Sequence, residues 1–406
     1  MKIYNLKQKI TNANLRALLI MALLIVVFTM SEKFDLVSVT FTLTFVGMLF
    51  FLFIQFIAHR IRKNEYILIL LLFLVIFFSL LASVKGLSSF ADLKKYLMFV
   101  STLIYLFIAQ KIEVNKKTVD SILFINLLFS IAYILFGYVI KVEYSHIGLT
   151  LNFINPNLAA MWIFHSILYL IITLFFYKGI SKKMFVLTLI ALLTYLMILT
   201  RARSVILALI IFILLSLFMW LKRNIRLSKT LIIIILFSPL IFAIFYLVLM
   251  NSNILHYFDF LISEGKSLDS REMVWIYALN IFKENPLFGA YNLIGHQMHN
   301  THIDILASYG SIVLIITMIY IIRILLNINK ESLSKIQTLA ILAFLSVIVL
   351  GTFEAALFSG GTGLYLLSIS YLILARYKID ENSNNRKMIK ENNGIKEPIR
   401  NRGGLH

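Results

Sequence analysis

Over 406 residues, 60% hydrophobic side chains, 14% charged ones and a mean hydropathy of +0.91 leave too much apolar surface for a soluble core, so the chain belongs in a bilayer. The formal charge of +19 would suggest nucleic acid in a soluble protein, but the basic residues are scattered in short clusters between apolar runs, the distribution expected of membrane loops. The chain has no cysteine, which excludes disulfides and thiolate metal sites.

The apolar runs are continuous and long enough to cross the hydrocarbon layer as helices, which excludes a transmembrane β-barrel. They predict an all-α polytopic fold of about twelve spans: 15–31, 34–57, 65–84, 93–109, 119–140, 156–177, 184–200, 204–221, 231–250, 302–326, 336–353 and 363–377. The first run is followed by Ser31, Glu32 and Lys33 and not by a small-residue cleavage site, so it reads as a retained span. Most of the 38 lysines and arginines fall in alternate segments: before residue 17, around 60–63, 111–117, 178–183, 222–229 and 323–335, and after 376. The positive-inside rule then puts both termini in the cytoplasm of a multi-pass inner-membrane protein. Residues 1–377 form one transmembrane domain with a large outer loop at 251–301, and 378–406 form a basic, disordered cytoplasmic tail.

Asn155-Pro156-Asn157 stands at the outer start of one span, as a capping turn. The tight outer turn Thr200-Arg201-Ala202-Arg203-Ser204 carries two arginines against the charge rule. Either they snorkel to lipid phosphates, or they form an outer-face anion site, since guanidinium matches phosphate oxygens in pairs. Within the outer loop, 269–284 reads as an amphipathic helix. Asp269 and Glu272 resemble a capping box, and Val274, Tyr277, Ala278 and Ile281 share a face. Asn285-Pro286 stops the helix, and Arg271 lies near its N-terminus, where backbone amides favour anions.

His299, Asn300, His302 and Asp304 cluster at the mouth of the span starting near 302; by helical spacing His299 shares a face with Gly310, a glycine suited to close approach of another helix. A histidine here is either interfacial or a proton acceptor at neutral pH. Glu354, beyond the outer end of a span, suits ion pairing with an arginine or, less readily, orienting a sugar hydroxyl. No Gly-rich phosphate loop, Asp-x-Asp pair, His-Glu-x-x-His or Gly-x-Ser-x-Gly is present, which disfavours nucleotide-sugar transferases, P-loop ATPases and zinc proteases.

In order, these blocks resemble the O-antigen ligase and Wzy-type polymerase family over about residues 150–365. The likeness is carried by Asn155-Pro156-Asn157, by Thr200-x-Ala202-Arg203-Ser204 and by Arg271-x-x-x-Trp275 running on to Asn285-Pro286-Leu287-Phe288-Gly289. It ends with His299-Asn300 and Gly310. Ala202 stands where the family has serine, and Val313 at its second glycine. The resemblance implies a helical membrane domain with a large outer loop, acting on polyprenyl-diphosphate-linked oligosaccharide with neither metal nor other cofactor. It implies an inverting glycosyltransferase in which Arg203 and Arg271, with Arg201 nearby, bind diphosphate and His299 serves as base. Asn300, Asp304, Glu354, Asn155 and Asn157 would support the site. The expected partners are the lipid-linked donor, a glycan acceptor, membrane lipids, a flippase and a chain-length regulator, with no nucleic acid. A composition typical of AT-rich genomes leans toward a polymerase for capsule, exopolysaccharide or O-antigen. The alternatives are a ligase acting on lipid A-core and, from another class, a lipid-linked oligosaccharide transporter.

Overall fold

The computed structural model describes residues 63–84, 90–110, 114–138, 144–145, 148–149, 156–221, 227–250, 269–290, 298–329, 333–354 and 364–377. Predicted spans 15–31 and 34–57, loop flanks 251–268 and 291–297, Asn155 and the tail 378–406 lie outside the described residues.

The described residues are almost entirely helical. The helices are α1 (Lys63–Ser83), α2 (Phe90–Ala109), α3 (Lys116–Tyr138), α4 (Pro156–Phe176), α5 (Ile180–Leu199), α6 (Arg203–Leu221), α7 (Lys229–Met250), α8 (Asp269–Glu284), α9 (Thr301–Ile328), α10 (Lys335–Leu350) and α11 (Leu364–Leu374). A two-residue antiparallel pair, β1 (Tyr144–Ser145) with β2 (Gly148–Leu149), precedes α4.

Among the described residues, six helices are long and apolar enough to cross a bilayer: α1, α3, α4, α5, α7 and α9. The expected twelve spans are thus met only in part. Predicted spans 93–109, 204–221, 336–353 and 363–377 do form helices, but α10 has 16 residues and α11 has 11, about 24 and 17 Å of rise. That is short of the roughly 30 Å of hydrocarbon.

Two helices make the core. α4 is buried along most of its length, and α10 almost throughout. α4 packs against α3, α5 and α10, while α10 also meets α6, α7 and α11. The surrounding helices turn large apolar side chains outward: Met184 and Phe185 on α5, Leu214 and Phe218 on α6, Ile241 and Phe245 on α7. Water would penalise such a surface, whereas lipid does not. The protein is a helical membrane protein.

α9, with 28 residues, is broken at Gly310 (φ 83°, ψ 178°). At the break Ser311 N–H no longer reaches the Ala307 carbonyl in the helical pattern. Instead, Ser311 donates to the Pro286 carbonyl through N (3.0 Å) and Oγ (2.7 Å), and the Ala307 carbonyl accepts from Ala290 N (2.7 Å). The Asn285–Ala290 turn thus restores both partners that the break removes. A Cβ on Gly310 would collide with the Leu287 carbonyl, and one on Gly289 would lie 2.6 Å from Gly310 N. The close approach expected at Gly310 is real, but it admits the backbone of a turn and not a second helix.

Candidate active site

Three segments that are distant in sequence converge on Glu354, in the turn after α10. Its Oε1 accepts from Arg271 Nη2 (2.9 Å) and from Asn157 Nδ2 (2.8 Å), and its Oε2 lies 3.2 Å from His299 Nδ1. Arg271 comes from the first turn of α8, Asn157 from the first turn of α4, and His299 from the residues leading into α9.

Each side chain is held by local structure. Pro156 opens α4, a position where its missing N–H costs nothing, and so sets Asn157 one residue into the helix. Arg271 rides on the buried face of α8. Spacings of four, three and four residues put Arg271, Trp275, Ala278 and Phe282 on one side, with Trp275 and Ala278 fully buried. The predicted face needs one correction: Val274, Ala278 and Ile281 do pack inward, but Tyr277 is 51% exposed and Trp275 takes its place. Tyr277 stands only one residue, about 100°, from Ala278, too far round the helix to share its contact. Trp275 Nε1–H donates to the Met298 carbonyl (2.8 Å), tying α8 to the residue before His299.

His299 adopts φ 50°, an uncommon region for a residue with a side chain. It therefore precedes α9 and is not part of it, so the helical face it was expected to share with Gly310 does not exist. Asn300 holds the geometry in place. Its Oδ1 caps α9 by accepting from His302 N (3.0 Å) and Ile303 N (3.1 Å). Its Nδ2 donates to the Pro239 carbonyl of α7 (2.9 Å) and to the Thr352 carbonyl (3.1 Å). Thr301 N donates to the Gly351 carbonyl (2.9 Å), so the turn carrying Glu354 is pinned to the start of α9. Of His299, His302 and Asp304, expected at one mouth, His299 meets Glu354. His302 is buried with its ring 6.4 Å from that of Phe237, and Asp304 is half-buried in the first turn of α9.

The cluster is recessed but open. The His299 side chain keeps 29% exposure and Arg271 19%, while Glu354 keeps 10%. With Nδ1 committed to a carboxylate, Nε2 is the ring nitrogen left for an incoming proton. Arg271 spends one terminal nitrogen on Glu354, which leaves guanidinium donors for an anion. Among the described residues no group of three His, Cys, Asp or Glu is placed to hold a metal.

The other two arginines sit on the α5–α6 turn. Thr200 Oγ1 accepts from Ala202 N (3.3 Å), and buried Ala202 anchors the turn. Arg201 is exposed at φ 56°, and Arg203 is exposed as the first residue of α6. One cavity wall joins residues 212–219 of α6 to Lys335–Leu342 of α10, so these helices run antiparallel. Arg203 is therefore at the end of the bundle that carries Glu354.

Residues 187–290 match a family model described as O-antigen ligase. Over that stretch, about a quarter of the chain, the protein is similar to the O-antigen ligase family. With the apolar helices, the match points to a polysaccharide-related membrane enzyme. No curated protein matches the chain. The matched stretch covers Arg201, Arg203 and Arg271, and ends at the turn that locks onto Gly310. His299, Asn300 and Glu354 lie beyond it and are joined to it by the contacts above.

Sequence reasoning missed the structural part of Trp275 and the clamp made by Asn300. The i, i+4 spacing of Arg271 and Trp275 was a signal for the first. Nothing local could signal the second, whose acceptors lie 61 and 52 residues away.

Proposed function

We propose that this protein is a polysaccharide polymerase of the cytoplasmic membrane. It transfers undecaprenyl-diphosphate-linked oligosaccharide repeats onto a growing glycan at the outer face, for capsule, exopolysaccharide or O-antigen. The observation that carries this reading is the convergence of His299, Arg271 and Asn157 on Glu354, with a partly exposed imidazole beside a guanidinium.

Glu354 holds His299 as the tautomer with its lone pair on Nε2. The acceptor hydroxyl gives its proton to Nε2, and its oxygen bonds to the anomeric carbon. The bond from that carbon to the diphosphate oxygen breaks, the electron pair leaving with the diphosphate and the configuration inverting. Arg271 and Arg203 stabilise the departing charge electrostatically. The chemistry calls on no nucleotide or metal. A flippase would deliver the donor, and a chain-length regulator would set the product. Both termini face the cytoplasm in this reading, so a reporter within 251–301 reads outside and one after Tyr377 reads inside.

The test is turnover by purified protein in lipid, with chelator present and polyprenyl-diphosphate-linked repeats as donor. The expected products are longer lipid-linked glycan and free polyprenyl diphosphate. A requirement for nucleotide sugar, or arrest by chelator, would overturn the proposal. The description of the matching family favours a second reading, ligation. Adding lipid A-core as acceptor separates the two, since a ligase extends that acceptor alone.

A further inference from the structure

One carboxylate in this molecule is shared between an imidazole and a guanidinium. Glu354 Oε2 lies 3.2 Å from His299 Nδ1, while Oε1 takes Arg271 Nη2 at 2.9 Å and Asn157 Nδ2 at 2.8 Å. The Glu354 side chain keeps only 10% exposure, so water screens little of what one partner does to the other. A carboxylate beside an imidazole favours its protonated form, and a cation nearby opposes it. Arg271 therefore offsets the charge with which Glu354 acts on His299. Asn157 is neutral; on α9 itself, His302 is buried beside Phe237 and Asp304 is half-buried in the first turn. Arg271 stands in the first turn of α8, where backbone amides favour an anion, and its remaining guanidinium donors can take one.

We infer that a diphosphate bound at Arg271 strengthens His299 as a base, so that donor binding arms the site before the acceptor hydroxyl is deprotonated. This rests on the proposed function, which assigns the donor diphosphate to Arg271. The diphosphate more than cancels the guanidinium charge, whether Arg271 keeps Glu354 or leaves it. The carboxylate then acts on the imidazole without opposition, and Nε2 holds a proton more tightly. Asn157 retains Oε1 when Arg271 turns to phosphate, so the carboxylate that orients Nδ1 stays in place. Without donor, Arg271 keeps the base weak. The coupling is reciprocal: a proton on His299 tightens diphosphate binding by the same factor.

The test uses the full-length protein in lipid nanodiscs with isotope-labelled histidine, and farnesyl diphosphate as the probe. No acceptor is added, so the readout is independent of turnover. His299→Gln identifies the His299 imidazole signals among those of the eight histidines. Saturating farnesyl diphosphate should raise the ratio of protonated to neutral His299 at a fixed, near-neutral pH by about fivefold, the low end for coupled sites. Arg271→Gln should raise that ratio with no ligand present, and the diphosphate should then leave it unmoved. Arg271→Lys keeps the cation and should hold the ligand-free ratio within about twofold of the unmodified protein. By calorimetry, the unmodified protein should bind the diphosphate more tightly as pH falls, beyond any trend in His299→Gln. Diphosphate binding that leaves the His299 ratio unchanged would overturn the coupling and leave the diphosphate site standing. Failure to bind, or equal binding by Arg271→Gln, would remove the assignment of Arg271 and the coupling with it.

Discussion

Two histidines in this molecule each place Nδ1 against an oxygen, and they differ in nearly everything else. His165, on α4, meets Tyr371 Oη of α11 at 3.0 Å, with the two rings stacked at 5.7 Å. Tyr371 stacks in turn on Tyr169, whose hydroxyl donates to the Leu367 carbonyl (2.7 Å). His165 is 1% exposed, so nothing reaches its second nitrogen. His299 meets a carboxylate, keeps 29% of its side chain exposed, and has a guanidinium bound to the same carboxylate. Burial with a neutral partner makes a tie between helices. An acidic partner and partial exposure make a base that can be addressed by substrate.

The largest effect that sharpens this contrast is on His299 itself. His299→Ala should lower turnover by roughly 10²–10⁴-fold, the contribution of a positioned base. Donor binding and membrane level should stay near those of the unmodified protein, and a loss of donor binding as large as the loss of turnover would remove His299 from the role of base.

Arg203→Lys keeps the charge but not the planar fork, and should weaken donor binding and turnover together by about tenfold or more. Arg201→Lys, on the same turn, should change either by less than about threefold. Equal effects would mean that the turn contributes charge without geometry.

His165→Phe should act on the fold and not on the chemistry. The His165 Nδ1 contact is lost while the Tyr371 hydroxyl keeps its bond to the residue 165 carbonyl (3.3 Å), so the cost should be about 1 kcal/mol. Thermal stability should fall while turnover per folded molecule holds, and a normal melting temperature with lost turnover would reverse the assignment. Gly310→Ala tests the lock beneath the site. Positive φ and the collision with Leu287 should reduce the amount of folded protein, with no selective loss of chemistry.

How far the sequence spoke depended on the range of the interaction. Helix α8 was legible to its ends, because Asp269, Asn285-Pro286 and the apolar spacing are local signals. The membrane character was legible from composition, and the placement of charges marked Arg203, Arg271, His299 and Glu354 as candidates. What failed was any inference that carried a helical face through a break. His299 lies before Asn300's cap, and Gly310 departs from helical dihedrals, so their spacing meant nothing. Tyr277 was placed inward because periodicity alone does not rank it against Trp275, and Trp275 wins by finding the Met298 carbonyl. Glu354's three partners were each readable as polar residues near span ends, but their meeting is a product of packing.

The central claim is that Glu354 acts through His299. Its most direct measurement is a double-mutant cycle in turnover with Glu354→Gln and His299→Ala. Glu354→Gln alone should lower kcat by roughly 10–10²-fold, in the range seen when a partner that orients a functional imidazole is removed. On the His299→Ala background the same change should cost less than about threefold, because the nitrogen it positions is gone. If the two losses multiply in full, Glu354 serves the reaction by a route that does not pass through His299, and the account is wrong.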